Sequence, residues 1–358
     1  MYVITTPPTE NVGDHLITRS AKEIIKQVKG DVDILEYSMQ DDLSNQLEKI
    51  NNCKAFVIPS FAIREPIHPE TFRFVPDMSK IKIPIFPLGM SWKGFPGDYE
   101  SANTFKLQDS TVKFLSYISK QVPKILCRDH LTCHILKNHG ITNFVMGGDP
   151  AWYDFQSLGK PMKRPEEIKS LVFTTPHAAW FNEQAKRILD MLSEIFPNAR
   201  KICSIHGGNG VEDLGVGQYA ETIGFETIDV SNHLEQIDYY ETMDLHVGYR
   251  LHGHISFLRK RIPSILLNED SRGCGFSYSV GIGGFDAFNR LHGFEQKLHF
   301  ATHRGRERIM AADKKLPERV KTYLKEETES RFRRFVGVAE LIDDTYEKVM
   351  KPYVESIP

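Results

Sequence analysis

Leu245-His246-Val247-Gly248-Tyr249-Arg250-Leu251-His252-Gly253-His254 passes from a strand through a tight connection into a helix. Leu245 to Gly248 is short, apolar and closed by glycine, as a buried strand is. Leu251 to Arg261 reads as a helix, and Ser264-Ile265-Leu266-Leu267 is the next strand. Consecutive strands bridged by a helix pair in parallel, in a sheet covered on both faces.

The same alternation runs outward in both directions. Towards the amino terminus lie strand candidates at Thr227 to Val230, Arg200 to Ile205 and Leu171 to Thr174. Before them come Phe144 to Met146, Lys124 to Cys127, Ile85 to Leu88, Ala55 to Ile58, Val32 to Tyr37 and Tyr2 to Thr6. Helical patterns fall between them. The first begins near Asp14, with Leu16, Ile17, Ile24, Ile25 and Val28 at helical spacing, and Gly30 stops it. Residues 157–167, with two prolines and mixed charge, read as a linker. The expected architecture is α/β: a Rossmann-like domain over 1–157, a second over 168–300, and a helical segment over 301–358 whose apolar stripe packs on one of them. A cleft separates the two domains.

Composition narrows what this fold is for. At 358 residues with a formal net charge of −2, the chain has no basic field for nucleic acid. An anionic ligand must be caught by a few local arginines. No stretch approaches the ~20 apolar residues that cross a bilayer, and the first residues do not read as a signal peptide. Five cysteines without a C-x-x-C pair suit reduced thiols and a cytoplasmic protein. Arg304, Arg306, Arg308, Lys314 and Lys315 form a basic stretch, read either as a solvated face or as contact with anionic lipid.

Ligands of open parallel sheets sit beyond the carboxyl ends of the strands, where helix amino termini aim N–H groups at anions. Arg128 follows the strand Ile125-Leu126-Cys127 and precedes a helix, with Asp129 beside it. Arg250 stands at the equivalent point of the second domain and can clamp a carboxylate or phosphate through two hydrogen bonds. His252 falls in the first turn of the next helix, where an imidazole can act as acid or base near neutral pH. His252 and His254 are two apart and diverge on a helix, so no metal site is expected. Asn268 to Gly275 reads as a polar loop in which Arg272 adds positive charge. His206-Gly207-Gly208-Asn209-Gly210 is a turn that could admit a sugar.

Taken in order, these motifs resemble the polysaccharide pyruvyl transferases. Asn11-Val12-Gly13-Asp14 resembles their N-x-G-D opening. Arg128-Asp129 with Asp149-Pro150-Ala151 resembles their R-D…D-P-A stretch, and Arg250-Leu251-His252-Gly253 their R-L-H-G signature. The resemblance implies a fold like the GT-B glycosyltransferases, phosphoenolpyruvate as donor substrate with no other cofactor, and a sugar acceptor in a polysaccharide or lipid-linked precursor. It implies ketal formation with release of phosphate. Arg128, Arg250 and His252 are then catalytic; Leu251, Arg272, Asn11 and Asp14 bind substrate, with Asp14 either a base for the sugar hydroxyl or a helix cap. The chain departs from the family at Pro59-Ser60-Phe61-Ala62, where many members carry a glycine-rich turn. A nucleotide-sugar glycosyltransferase on the same architecture is the rival reading, with Glu269 or Asp270 on the donor ribose. A non-catalytic glycan-binding protein is a third.

Overall fold

The computed structural model describes residues 1–207 and 211–358, so Gly208, Asn209 and Gly210 of the proposed sugar-admitting turn lie outside the described residues. Two parallel sheets organise the molecule. The first contains β1 (Tyr2–Thr6), β2 (Ile34–Ser38), β3 (Phe56–Ile58), β4 (Ala62–Ile63), β5 (Ile85–Trp92), β6 (Ile125–Cys127) and β7 (Phe144–Met146). Its order is β2-β1-β3-β5-β6-β7, with β4 paired to β5. The second contains β8 (Ser170–Thr174), β9 (Arg200–Ile205), β10 (Glu226–Asp229), β11 (Leu245–Gly248), β12 (Ser264–Asn268) and β13 (Gly284–Asp286), in the order β10-β9-β8-β11-β12-β13. Both are Rossmann-like sheets. Phe56, Val57, Ile58, Leu245 and Val247 are completely buried, as strands sandwiched between helices must be.

Each sheet has one point where the strand order reverses: between β1 and β3 in the first, between β8 and β11 in the second. Crevices open at such points because the flanking connections leave to opposite faces. The segments leaving β8 and β11 are Thr175–His177 and Tyr249–His252; those leaving β1 and β3 are Pro7–Asn11 and Pro59–Phe61. The backbone N–H of Val12 donates to the carbonyl of His206 at 3.1 Å, so the two crevices adjoin.

Three readings of the sequence need correction. β5 does not stop at Leu88 but runs to Trp92. Gly89 takes φ of +86°, and a Cβ there would lie 2.7 Å from Pro150 Cδ, so the glycine lets the strand shift register and continue. The polar loop expected over 268–275 is a strand end and a helix, Ser271–Val280, whose amino terminus is capped by Asp270 accepting from the Arg272 N–H. The carboxy-terminal helices begin at Leu316 rather than 301, because β15 (Met310–Ala312) pairs antiparallel with β14 (Phe288–Arg290). They serve both domains. Lys321 of the helix Leu316–Glu329 pairs with Glu194 of the second domain, whereas the Tyr353 hydroxyl donates to the Pro87 carbonyl of the first.

Candidate active site

The cleft consists of two adjoining chambers. Arg250, Leu251, His252, Arg272, Asn11 and Asp14 all line the larger, of about 610 Å³. Arg128 does not. It lines the smaller chamber, of about 380 Å³, together with Asp149. Asp14, Arg64, His252 and Arg272 border both.

Arg250 is held by the carboxyl end of β8. Its Nε donates to the Thr175 carbonyl at 3.0 Å, its Nη1 to His177 Nδ1 at 3.1 Å, and its backbone N–H to Thr174 Oγ1 at 3.2 Å. These carbonyl, hydroxyl and imidazole contacts orient the guanidinium at the end of the strand. Burial and the nearby Arg250 drive His177 down to about 4, which keeps it the neutral acceptor that contact requires.

Arg128 is 4% exposed, with its Nη1 3.6 Å from Asp149 Oδ2 and its Nε 3.6 Å from Asp129 Oδ2. Neither distance is a hydrogen bond, and its Nε and Nη2 have no acceptor among the described residues. Asp129 instead caps the following helix, its Oδ1 accepting from the Thr132 N–H at 2.8 Å.

Asp149 links the two domains. One oxygen accepts from the Ala151 N–H, and the other lies 3.3 Å from His252 Nε2 and 3.6 Å from Arg128. Burial raises the Asp149 carboxyl, but the His252 hydrogen bond and the neighbouring positive charges outweigh it, and the group stays below the ordinary carboxylate value. The negative charge opposite His252 is therefore permanent at neutral pH.

On the first helix, Val12–Lys29, the N-cap is Asn11, whose side chain accepts from the Gly13 N–H at 3.0 Å. Asp14 is thereby relieved of capping and faces the cleft. His254 points the other way, completely buried with its Nδ1 2.7 Å from Ser264 Oγ. Among the described residues no three His, Cys, Asp or Glu side chains are grouped to hold a metal ion.

Sequence reasoning passed over Arg64, Lys93, His177 and the linking role of Asp149, and considered Glu269 only for the rival nucleotide-sugar reading. Arg64, Lys93 and Glu269 follow directly on β4, β5 and β12, and His177 and Asp149 come three residues after the ends of β8 and β7. The strand-end rule applied throughout would have found them, and Lys93 was hidden because Gly89 was read as ending β5. Lys93 is pulled down to about 7 by burial and then by Arg272 and Arg64. Burial lifts Glu269 to about 7 although Arg250 and two backbone N–H groups oppose it. Arg272 forks onto Asp270 and is largely neutralised by it.

The fold has solved counterparts. The UDP-GlcNAc 2-epimerase of Neisseria meningitidis, determined with UDP-GlcNAc, superposes with a TM-score of 0.54 over 99% of this chain and 100% of its own, at 9% identity. The S. aureus MnaA–UDP structure gives 0.50 over 98% of each chain, also at 9%. At that identity the likeness establishes the GT-B-like architecture and nothing about substrates. No curated protein matches in sequence. The model of the polysaccharide pyruvyl transferase family, however, matches residues 11–271, which begins at the capping Asn11 and ends at Ser271, beyond the arginine–histidine stretch. The chain belongs to the polysaccharide pyruvyl transferase family.

Proposed function

We propose that this transferase moves the pyruvyl group of phosphoenolpyruvate onto two hydroxyls of one sugar, closing a cyclic ketal and releasing phosphate. The observation that carries the reading is Arg128: a buried guanidinium with N–H groups that lack acceptors among the described residues, across Asp149 from His252, in a cleft that also holds Arg250. Buried donors without partners are costly, and an anion relieves that cost.

In this reading the donor lies between Arg250 and Arg128, its carboxylate and phosphate each facing a guanidinium. A sugar hydroxyl adds to C2 while C3 takes up a proton, giving a phosphorylated tetrahedral centre. The C2–O bond to phosphate then breaks, and a second hydroxyl of the same sugar adds to C2 and loses its proton. Nothing is oxidised or reduced, so no redox cofactor is needed. His252 moves the proton, and the fixed negative charge of Asp149 steadies its imidazolium form. The acceptor lies in the smaller chamber, where Gln40, Ser60, Glu70 and Thr71 offer groups that can bind hydroxyls. The departure from the family at Pro59 to Ala62 borders this chamber, so it bears on which sugar is taken.

Of the two residues a nucleotide-sugar reading would set on a ribose, Glu269 is engaged with the backbone N–H groups of His177 and Ala178, and Asp270 with the Arg272 guanidinium. Thermal melting separates the two readings. Phosphoenolpyruvate should raise Tm and UDP- or GDP-sugars should not; Arg250→Ala should abolish most of the rise, a loss of about 2–5 kcal/mol in binding. Stabilisation by nucleotide sugars alone would replace this reading.

A further inference from the structure

Between β14 and β15 the chain makes an excursion, residues 291–309, that leaves the second domain and returns to it. Its base is closed by the β14–β15 ladder and by Leu291 N–H donating to the Ile309 carbonyl at 2.9 Å. Its helix, Gly293–Thr302, has no buried residue. Phe294 is 79% exposed, Leu298 52% and Phe300 59%. Phe294 and Leu298 stand four apart on one helix face, with Ala301 one turn on. Side chains of this size are seldom left in water together unless something covers them.

The charges around them are lopsided. The excursion carries Lys297, Arg304, Arg306 and Arg308 against Glu295 and Glu307, with Lys314 and Lys315 just beyond, in a chain whose net charge is −2. Lys297, Arg304, Lys314 and Lys315 are exposed. Arg308 lies over the Phe300 ring at 4.4 Å. Arg306 lies over the ring of Phe95 at 3.4 Å, two residues after Lys93 on the cleft wall, and feels the charges of Asp270 and Arg272. The excursion therefore stands at the edge of the cleft.

We propose that this excursion docks the protein on the surface of an anionic lipid bilayer, Phe294 and Leu298 entering the acyl boundary while the surrounding lysines and arginines meet the headgroups. Apolar knobs ringed by cations are the pattern of an interfacial helix. A second copy of the chain is a poorer occupant. A stable dimer buries about 20–30 residues a side, and a ten-residue helix offering three large apolar side chains falls well short. Among the described residues no helix is long and apolar enough to span the membrane, so attachment by this route is reversible. The docking would turn the cleft edge towards the bilayer, where a lipid-borne acceptor would arrive. Its test is independent of the donor assignment.

The experiment is co-sedimentation of the full chain with vesicles of equal phosphatidylglycerol and phosphatidylcholine, beside vesicles of phosphatidylcholine alone. Wild type should partition onto the anionic vesicles and be released by raised salt, since surface charge is screened within ~10 Å at 0.1 M. Phe294→Ser with Leu298→Ser should weaken partitioning on the order of tenfold; both side chains are exposed, so an unchanged Tm confirms the fold. Lys297→Glu with Arg304→Glu should also lower it and flatten the salt dependence. Phe294→Trp should show blue-shifted emission with anionic vesicles. Absence of wild-type binding at low salt would overturn the proposal, as would serine variants that bind like wild type. A wild-type dimer in size-exclusion chromatography that the serine pair splits would assign the face to a second copy and overturn it too.

Discussion

Gly13 and His252, 239 positions apart in the chain, are in direct contact: a Cβ on Gly13 would lie 2.6 Å from the Cγ of His252. The helix of the first domain thus approaches the imidazole closely because it has no side chain there. The glycine of the N-x-G-D motif exists for the histidine of the R-L-H-G motif, and the two domains meet at that contact.

Gly13→Ala sets two effects against each other. Alanine favours a helix over glycine by about 1 kcal/mol, while overpacking of a buried contact costs about 1–3 kcal/mol. Stability should therefore fall by up to about 2 kcal/mol. Activity should not survive as well, because a displacement of roughly 1 Å at a reacting group can cost on the order of 10²-fold. Phosphate release with acceptor present, measured beside Tm, checks this. An active Gly13→Ala enzyme would show that His252 tolerates displacement.

His252→Gln retains a hydrogen-bonding group beside Asp149 but cannot carry a proton through the reaction. Turnover should fall ~10²–10⁴-fold while phosphoenolpyruvate affinity stays near that of wild type. If affinity collapses and saturating donor restores the rate, His252 only binds the donor.

Asp149→Asn should reveal Arg128 as an anion receptor. Asparagine can keep the contact to the Ala151 N–H, but it leaves the buried guanidinium without its cross-strand counter-charge. Removing one partner of a buried ion pair costs about 3–5 kcal/mol. Urea unfolding should show a loss approaching that size, and added sulfate or phosphoenolpyruvate should recover more stability in the variant than in wild type. An unchanged midpoint would mean that Asp149 does not balance Arg128.

Donor affinity should fall as pH rises through 7. Lys93, lowered to about 7, is a cation below that point and neutral above it; Glu269, raised to about 7, becomes an anion above it. Both changes remove positive charge from the larger chamber. Sulfate, whose own charge is constant across this range, should show the trend, and Lys93→Met should flatten it. For stability the two signs are opposite. Lys93 binds its proton less readily folded than unfolded, so its destabilising effect fades as pH rises above 7. Glu269 holds its proton more readily folded, so its favourable contribution is lost as pH rises through 7. Calorimetry of wild type and Glu269→Gln between pH 5 and 9 resolves them; identical curves would remove Glu269 from the account.

The parallel architecture was legible because strands buried on both faces leave unbroken apolar runs, such as Phe56-Val57-Ile58, and the helices between them carry their own period. Arg128 was legible as a candidate because it follows directly on an apolar strand, Arg250 because it closes the turn between a strand and a helix, and His252 because it falls in that helix's first turn. Lys93 was not, since a glycine inside β5 has the same letter as a glycine that ends a strand. The helix at Ser271 was missed for a similar reason: Asp270, Arg272 and two glycines have the composition of a loop, and only the cap and the packing on β12 make them helical.

Local features could be read along the chain: the strand–helix alternation, the order of the motifs, and the residue types capable of gripping an anion and moving a proton. Periodicity and side-chain chemistry are properties of neighbours along the chain, so they can be read there. The tertiary structure alone decided which of those residues share a chamber. It set Asp149 between Arg128 and His252, gave capping to Asn11 so that Asp14 could face the cleft, and gathered Arg64 and Lys93 with Arg272 on the wall of the larger chamber. Those relations depend on how two sheets pack across a cleft, where burial and close approach set charge and reach.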